Sequence, residues 1–178
     1  LISLLGSPHV MFYRGEAVSL KVEQVWVIPE GYGSLIWVEA QGKGKTGAGL
    51  LNQSVAVVDI GHQTTDFIMV DSFRFARGVS RSEPFAMNQF YDQVAAQIQG
   101  ADSQSLLLIQ AVHRPEGERF YRPKGATQPT NLDEILPSLR KSFARELSNR
   151  LIAWLPERAT EVIVTGGGGE FFWSELQL

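Results

Sequence analysis

Two apolar stretches separated by a short polar loop constrain the fold more than any other feature. Residues 55–58 read Val-Ala-Val-Val, and residues 67–70 read Phe-Ile-Met-Val. Short runs of this kind, bounded by turn residues, are typical of buried strands. Because the connection is so short, the two strands, predicted at 54–60 and 64–71, must be antiparallel neighbours in one sheet.

The other predicted elements rest on apolar residues at strand or helix spacing between glycine and proline breaks. The first is a hairpin at 10–22, with its turn at Arg14–Glu16 and its second strand continuing to Ile28. Further strands are predicted at 73–78 and 161–165. Helices are predicted at 34–39, 84–100, 102–112, 132–155 and from Glu170 onward. Segments 41–49 and 114–129 are predicted loops. Asn131 is expected to cap the long helix, and Pro137 either to end its first segment or to kink it.

Composition excludes several classes of protein. The chain has no cysteine, so it has neither a disulfide framework nor a thiolate metal site. The three histidines lie far apart, which argues against a histidine metal centre. A net charge of -3 gives no general attraction to nucleic acid, and no apolar run approaches the ~20 residues that span a bilayer. These features suit a cytoplasmic protein that does not contact nucleic acid directly.

The sequence Gly-Lys-Gly-Lys-Thr at 42–46 suggests a P-loop, but its spacing is wrong. The first glycine of that motif would fall at position 39, which is Glu39. A P-loop also needs a helix after it, whereas Gly47-Ala-Gly49 and a predicted strand follow here. A surface loop is the better interpretation.

The loop from Asp59 to Asp66 has unusual chemistry for a hairpin turn. Asp59 follows apolar residues, where a carboxylate without a partner is costly. Gly61 permits close approach of the backbone to a ligand, and Thr64 and Thr65 supply hydroxyls and amides. This combination suits a phosphate held with Mg²⁺, which keeps its waters and binds carboxylates indirectly. On the residues alone, an ordinary turn and a phosphate loop both stay open.

Three motifs carry a resemblance to a known group of proteins. Asp-Ile-Gly-His-Gln-Thr-Thr-Asp at 59–66 resembles the second phosphate motif of the actin-like ATPase superfamily. The glycines of 166–169, after the strand Glu-Val-Ile-Val-Thr, resemble its adenosine motif. Val-Trp-Val-Ile-Pro-Glu-Gly-Tyr-Gly-Ser at 25–34 is similar to a strand and turn of ParM-type (StbA-like) plasmid-segregation ATPases.

The resemblance implies an α/β fold of the ribonuclease-H-like kind, with helices covering a mixed sheet. In that sheet 161–165 would run parallel to 54–60. It also implies ATP (or GTP) and Mg²⁺ as ligands, with roles assigned by position. Asp59 would organise waters around Mg²⁺. The β- and γ-phosphates would face Gly61, Thr64 and Thr65, and ribose and adenine would lie against Gly166, Gly167 and Gly168. Glu30 would orient the attacking water.

Four further residues have less defined expectations. His62 stands where relatives often carry glycine, and its side chain is expected to point to solvent. Asp66 is expected to pin the hairpin by accepting backbone amides. Arg145 and Glu146 lie on the helix that the superfamily uses near adenine, although a solvated helix face is the simpler interpretation.

The chain departs from the superfamily in lacking its first phosphate motif and the helix and strand that follow the adenosine motif. Residues 1–28 are therefore expected to be a remnant of a neighbouring domain, and 29–178 a nucleotide-binding half domain truncated at its C-terminus. Such a fragment should have little ATPase activity of its own.

The implied function is ATP binding and hydrolysis by a protein that polymerises, with a possible role of the parent in plasmid segregation through an adaptor. Two alternatives stay open. One is a nucleotide-dependent scaffold of the same fold that does not hydrolyse ATP, for which Glu30 would be dispensable. The other is a small-molecule kinase of the superfamily, for which no residue here argues.

Overall fold

A computed structural model describes residues 6–25, 28–42 and 49–176 of the chain. Within them the strands are β1 (His9–Tyr13), β2 (Glu16–Leu20), β3 (Ser54–Ile60), β4 (Thr65–Asp71), β5 (Arg74–Phe75), β6 (Arg81–Glu83), β7 (Phe120–Tyr121), β8 (Thr130–Asn131) and β9 (Glu161–Thr165). The helices are α1 (Tyr32–Ala40), α2 (Met87–Ala96), α3 (Leu106–Val112), α4 (Leu136–Trp154) and α5 (Gly166–Phe171). Leu50–Asn52 and Leu132–Glu134 form 3₁₀ turns.

A mixed sheet forms the centre of the fold, in the order β5-β4-β3-β9. β3 and β4 are antiparallel, with Val57 opposite Ile68, and β9 runs parallel to β3. Both relations confirm the sequence prediction. The antiparallel pair needs only a short loop, whereas the parallel strand is reached by a long crossover through α2, α3 and α4.

Helices cover both faces of the sheet, because side chains alternate between the faces along each strand. Ala56, Val58 and Ile60 of β3 face the larger core, which includes Phe90 of α2 and Phe143 of α4. Val55 and Val57 of β3 face a smaller core with Tyr32 and Leu35 of α1. This burial on both faces accounts for the continuous apolar runs that the sequence displays.

The start of the long helix follows its sequence signals. The Asn131 side chain accepts a hydrogen bond from the Asp133 amide at 3.1 Å and caps the 3₁₀ turn Leu132–Glu134. Pro137 lies in the first turn of α4, where its missing N–H leaves no helical bond unmade. Because Pro137 has no N–H to donate to the turn before it, the chain breaks at Ile135, between the 3₁₀ turn and α4.

Several predicted boundaries were wrong. β2 ends at Leu20 instead of continuing to Ile28: Leu20 pairs with His9, and the next partner would be Pro8, which has no N–H to donate. The strand predicted at 73–78 covers only Arg74–Phe75. The turn after it places the Ser80 hydroxyl on the Met69 amide at 2.9 Å, and the unpredicted β6 then resumes pairing with β4.

Two further segments differ from their prediction. The predicted loop at 114–129 contains β7, which pairs with β8. The last helix begins at Gly166, not at Glu170, and so includes the whole glycine run. Most of the loop predicted at 41–49 lies outside the described residues.

The hairpin of β1 and β2 presents large apolar side chains to solvent. Val10 is 69% exposed and Phe12 is 76% exposed. This exposure agrees with the prediction that residues 1–28 belong to a neighbouring domain, but does not test it, so the division at residue 28 stays a prediction.

His113, a solvent-exposed residue at the end of α3, contacts residues of two other helices at the edge of the larger core. The Tyr91 hydroxyl and His113 Nε2 lie 2.8 Å apart, and the His113 ring packs edge-on against Phe171. Partial burial, together with the charges of Arg119 and Arg140, lowers the pKa of His113, although Glu170 acts in the opposite direction. Burial also raises the pKa of Tyr91 to about 12. Both rings are therefore neutral at pH 7.

This neutrality predicts a loss of stability in mild acid. Because the folded His113 has the lower pKa, the unfolded chain takes up the proton first, and the free energy of unfolding falls as pH drops through about 6.5. His113→Gln, which stays neutral, should lose less stability than the unchanged chain between pH 7.5 and 5.5 in urea titrations. His9→Gln, on the exposed hairpin, should behave like the unchanged chain. Equal losses in His113→Gln and the unchanged chain would contradict this account.

Candidate phosphate-binding site

The loop between β3 and β4 forms one wall of an open pocket of about 330 Å³. Carboxylates and loop residues contributed by three parts of the chain line this pocket. They are Glu30, Asp59, Gly61, His62, Gln63, Thr64 and Asp66. The structure thus brings together Glu30 and six of the eight positions of the predicted motif, although Glu30 lies far from them in sequence.

Asp59 lies at the centre of this pocket because of its place in the sheet. It is the penultimate residue of β3, opposite Asp66 on β4 and beside Thr165 on β9. Its carboxylate is half-buried, and burial raises the pKa of Asp59, with smaller contributions from the negative charges of Glu30 and Asp66. A cation or a set of ordered waters near Asp59 would offset this cost.

Glu30 reaches the same pocket from the residue pair before α1. The carbonyl of Pro29 accepts the Tyr32 amide at 3.2 Å, so the chain turns into the helix immediately after Glu30. Gly31 makes this turn possible: its φ is +81°, and a Cβ there would lie 3.1 Å from Ile68 Cδ1 and 3.5 Å from Asp59 Cβ. The close approach of this glycine to the sheet holds the exposed Glu30 beside Asp59.

Some backbone groups of the β3–β4 loop take part in hydrogen bonds within the protein, and others do not. The Gly61 amide donates to the Thr64 carbonyl at 2.9 Å, and the Gly61 carbonyl accepts from Met87 at the start of α2. Gly61 therefore shapes the turn and has no amide left for a phosphate. Among the described residues, the amides of His62, Gln63 and Thr64 donate to no backbone acceptor, and all three residues are exposed.

The amide that was predicted to face a phosphate, that of Gly61, is therefore already used within the turn, and the amides without a backbone acceptor belong to the three residues that follow it. Gln63 was not among the predicted residues. The turn hydrogen bond from Gly61 to Thr64 is a three-dimensional feature with no signal in residue type. The His62 ring is exposed, as expected, and lies 5.9 Å from the Tyr91 ring centre.

Thr65 and Asp66 also differ from their predicted roles. Thr65 is fully buried, and its hydroxyl donates to the Phe85 carbonyl at 2.6 Å, so it cannot face a phosphate. β-sheet alternation explains this, because Thr65 pairs with Ile60 and shares its interior face. Asp66 lies on the opposite face and lines the pocket. Its carboxylate accepts no backbone amide among the described residues, so it does not pin the hairpin in the way predicted.

The glycine run packs directly against β3. A Cβ on Gly166, whose φ is +83°, would lie 2.5 Å from both Asp59 Oδ1 and the Ile60 carbonyl oxygen. A Cβ on Gly168 would lie 2.3 Å from Ile60 Cγ2, whereas one on Gly167 would meet no atom within 4 Å. Gly168 is thus a packing position, while Gly166 adjoins Asp59 and Gly167 is exposed.

A second, larger groove lies between α4 and the residues after α5. It has a volume of about 570 Å³ and is lined by Lys141, Arg145, Asn149 and Ser174 among others. Arg145 therefore lines a groove beside the segment that begins with the glycine run. Glu146 instead forms an ion pair with Arg150 at 2.8 Å, which supports the simpler interpretation of that residue.

Within the described part of the chain, no group of three or more acidic or histidine side chains is arranged to hold a metal ion directly. The same residues include no helix long and apolar enough to cross a bilayer.

Comparison with solved structures shows that this is an actin-like fold. The archaeal actin homologue Ta0583 in complex with ADP matches with a TM-score of 0.71 and 16% identity, over 96% of this chain and 55% of that one. ParM of Bacillus thuringiensis with ATP matches with a TM-score of 0.69 and 17% identity, over 98% and 54%. A 15-stranded ParM filament from Clostridium botulinum matches with a TM-score of 0.65 and 16% identity, over 99% and 54%. The chain thus spans about half the length of these structures, and at such identities the likeness concerns the fold alone.

The amino-acid sequence, compared with models of protein families, identifies the family. Residues 57–178 match the C-terminal domain of the archaeal actin homologues described as MreB-like, and the chain belongs to this family. None of the curated proteins compared with the sequence matches it significantly. The resemblance to the actin-like superfamily is confirmed, and ParM structures share its fold.

The glycine contacts give a prediction for stability with an internal control. Gly168→Ala and Gly166→Ala should each lower the free energy of unfolding by about 1–3 kcal/mol, because the new methyl group overlaps β3 and because Gly166 adopts a left-handed conformation. Gly167→Ala should change it by less than about 1 kcal/mol, since its Cβ meets open space. Urea denaturation would measure all three variants. Equal effects at the three positions would contradict the packing described.

Proposed function

We propose that this chain binds the phosphates of ATP (or GTP) at the β3–β4 loop and forms part of an ATPase. The observation that carries the proposal is the pocket in which the open amides of His62, Gln63 and Thr64 lie beside the Asp59 carboxylate. Successive backbone N–H groups on a turn form a concave site for anions. The ADP and ATP complexes of Ta0583 and of a ParM support a nucleotide as that anion.

The nucleoside would lie along the start of α5. Gly166 and Gly167 offer a backbone surface without side chains, and Gly168 keeps α5 close to Ile60. The groove that contains Arg145 lies between α4 and the residues after α5 and offers cationic and amide groups to a base. Thr65 contributes only by anchoring the loop to Phe85.

The residues present fit Mg²⁺ bound through water. Asp59, Glu30 and Asp66 place three carboxylates around one pocket, and burial and mutual repulsion disfavour the charged form of Asp59. Mg²⁺ usually keeps several waters and takes only one or two carboxylates. When bound, the ion would neutralise charge on the phosphates, and Asp59 would hold its waters.

Hydrolysis requires a group that positions water, and we assign this role to Glu30. Its exposed side chain lines the same pocket as Asp59 and the loop residues His62, Gln63 and Thr64, which supports the assignment. Phosphoryl transfer needs mainly positioning and charge stabilisation, so a fixed carboxylate that accepts a proton from water is the useful contribution. The scaffold alternative would leave Glu30 without this role.

The parent protein would self-associate in the cytoplasm, with plasmid or other DNA segregation through an adaptor as a further possibility. The ParM filament among the structural matches supports assembly of this fold into polymers. Because the chain spans about half of those structures, activity and assembly belong to the complete gene product and not to these residues alone.

Turnover of Mg-ATP by the complete gene product tests this function. Phosphate release should begin above a threshold protein concentration, and Glu30→Ala should lower kcat by about tenfold or more with little change in nucleotide affinity. Glu116→Ala, on the exposed segment after α3, is the matched control and should keep full turnover. Turnover independent of concentration would point to a monomeric enzyme. Nucleotide binding with no turnover would favour the scaffold and contradict hydrolysis.

A further inference from the structure

A pair of hydroxyl groups joins α1 to the end of β9. Ser34 Oγ and Thr165 Oγ1 lie 2.7 Å apart, and both residues are half-buried. Ser34 lies in the first turn of α1, four positions after Glu30. Thr165 is the last residue of β9, immediately before Gly166. One hydrogen bond therefore connects the segment that carries Glu30 with the segment that begins the glycine run.

This pair lies on the same face of the sheet as Asp59. Thr165 and Asp59 are neighbours on parallel strands, so their side chains point to the same side. Val57, two residues before Asp59, packs on that side in the same small core as Leu35 of α1. The hydroxyl pair thus adjoins Asp59 in the sheet register.

The other side-chain bonds of α1 lie away from this end of the sheet. Tyr32 donates to the carbonyl of Phe73, in the turn between β4 and β5, and Glu39 accepts the Leu50 amide at 2.6 Å. The helix has no side-chain cap at Gly31. Ser34, by contrast, hydrogen-bonds to the strand next to Asp59.

We propose that Ser34 and Thr165 are positioning residues, a hydroxyl clasp that fixes the first turn of α1, and with it Glu30, against Asp59 and the glycine run. The inference rests on the proposed hydrolysis and adds two residues to it. Since Glu30 is exposed and precedes the helix, its placement depends on how firmly that first turn is held. A displacement of about 1 Å in a group that orients a reactant can cost up to about a hundredfold in rate.

Substitution can remove the hydrogen bond between Ser34 and Thr165 without reducing the side-chain volume at Thr165. Thr165→Val keeps the shape and deletes the hydroxyl, and Ser34→Ala deletes its partner. Ser34→Thr and Thr165→Ser retain both hydroxyls. Ser142→Ala is the control, because it removes an exposed hydroxyl on α4 that donates to Leu139 at 3.0 Å.

Two readouts separate the clasp from the proposed hydrolysis. The first is hydrogen exchange at the Ser34 and Leu35 amides, which bond to the Gly31 carbonyl at 3.1 and 3.4 Å. Exchange there should accelerate in Ser34→Ala and Thr165→Val but not at Gln41, at the other end of α1. The second is turnover of the complete gene product, where kcat should fall about tenfold with KM within about twofold, and the hydroxyl-retaining variants should recover it.

A double-mutant cycle with Glu30→Ala completes the test. If the clasp acts through Glu30, Ser34→Ala should cause no further loss of kcat in the Glu30→Ala background. Additive losses, unchanged exchange at Ser34 and Leu35, or equal kcat in all hydroxyl variants would each overturn the proposal. Absence of turnover in the unchanged protein would overturn the proposed hydrolysis itself and the positioning role with it.

Discussion

The parallel pairing of β3 with β9 is the interaction on which the whole site depends. It places Thr165 beside Asp59, and because α5 follows β9 directly, it lays the glycine run against the end of β3. The contact is close enough that a methyl group at Gly168 would overlap Ile60. The β3–β4 loop and α5, which are about a hundred residues apart in the sequence, thus become adjacent through a single strand pair.

The same strand positions explain why the two faces of the motif differ. Alternation along β3 and β4 sends Ile60 and Thr65 into the larger core, while Asp59 and Asp66 face the pocket under α1. The turn before α1 then adds Glu30 to that face, through Gly31, which tolerates close contact with the sheet. The polar pocket on this face and the packing on the other are consequences of one register, so a slip by one residue would exchange them.

Local signals predicted most of the fold. The apolar runs at 55–58 and 67–70 and the break near Pro137 each have a short-range physical cause, and these predictions held. Asn131 does act as a cap, but of the 3₁₀ turn Leu132–Glu134 and not of the long helix. The errors arose where a partner segment decides the outcome. β2 ends because its next partner is Pro8, and Thr65 turns inward because it pairs with Ile60. In the candidate site, residue types pointed to Asp59 and the loop, which the structure places in one pocket, but only the Gly61–Thr64 hydrogen bond reveals that the open amides follow Gly61.

Chemical-shift mapping with Mg-ADP would test the central claim, that the phosphates bind at the β3–β4 loop. On the isotope-labelled chain, saturable shifts should be largest at the amides of His62, Gln63 and Thr64 and smaller at Gly167. Asp59→Asn should weaken them, since it removes the carboxylate proposed to hold the waters of Mg²⁺. Saturable binding whose largest shifts fall in the loop at 41–49, or an absence of any saturable shift at 62–64, would contradict the account.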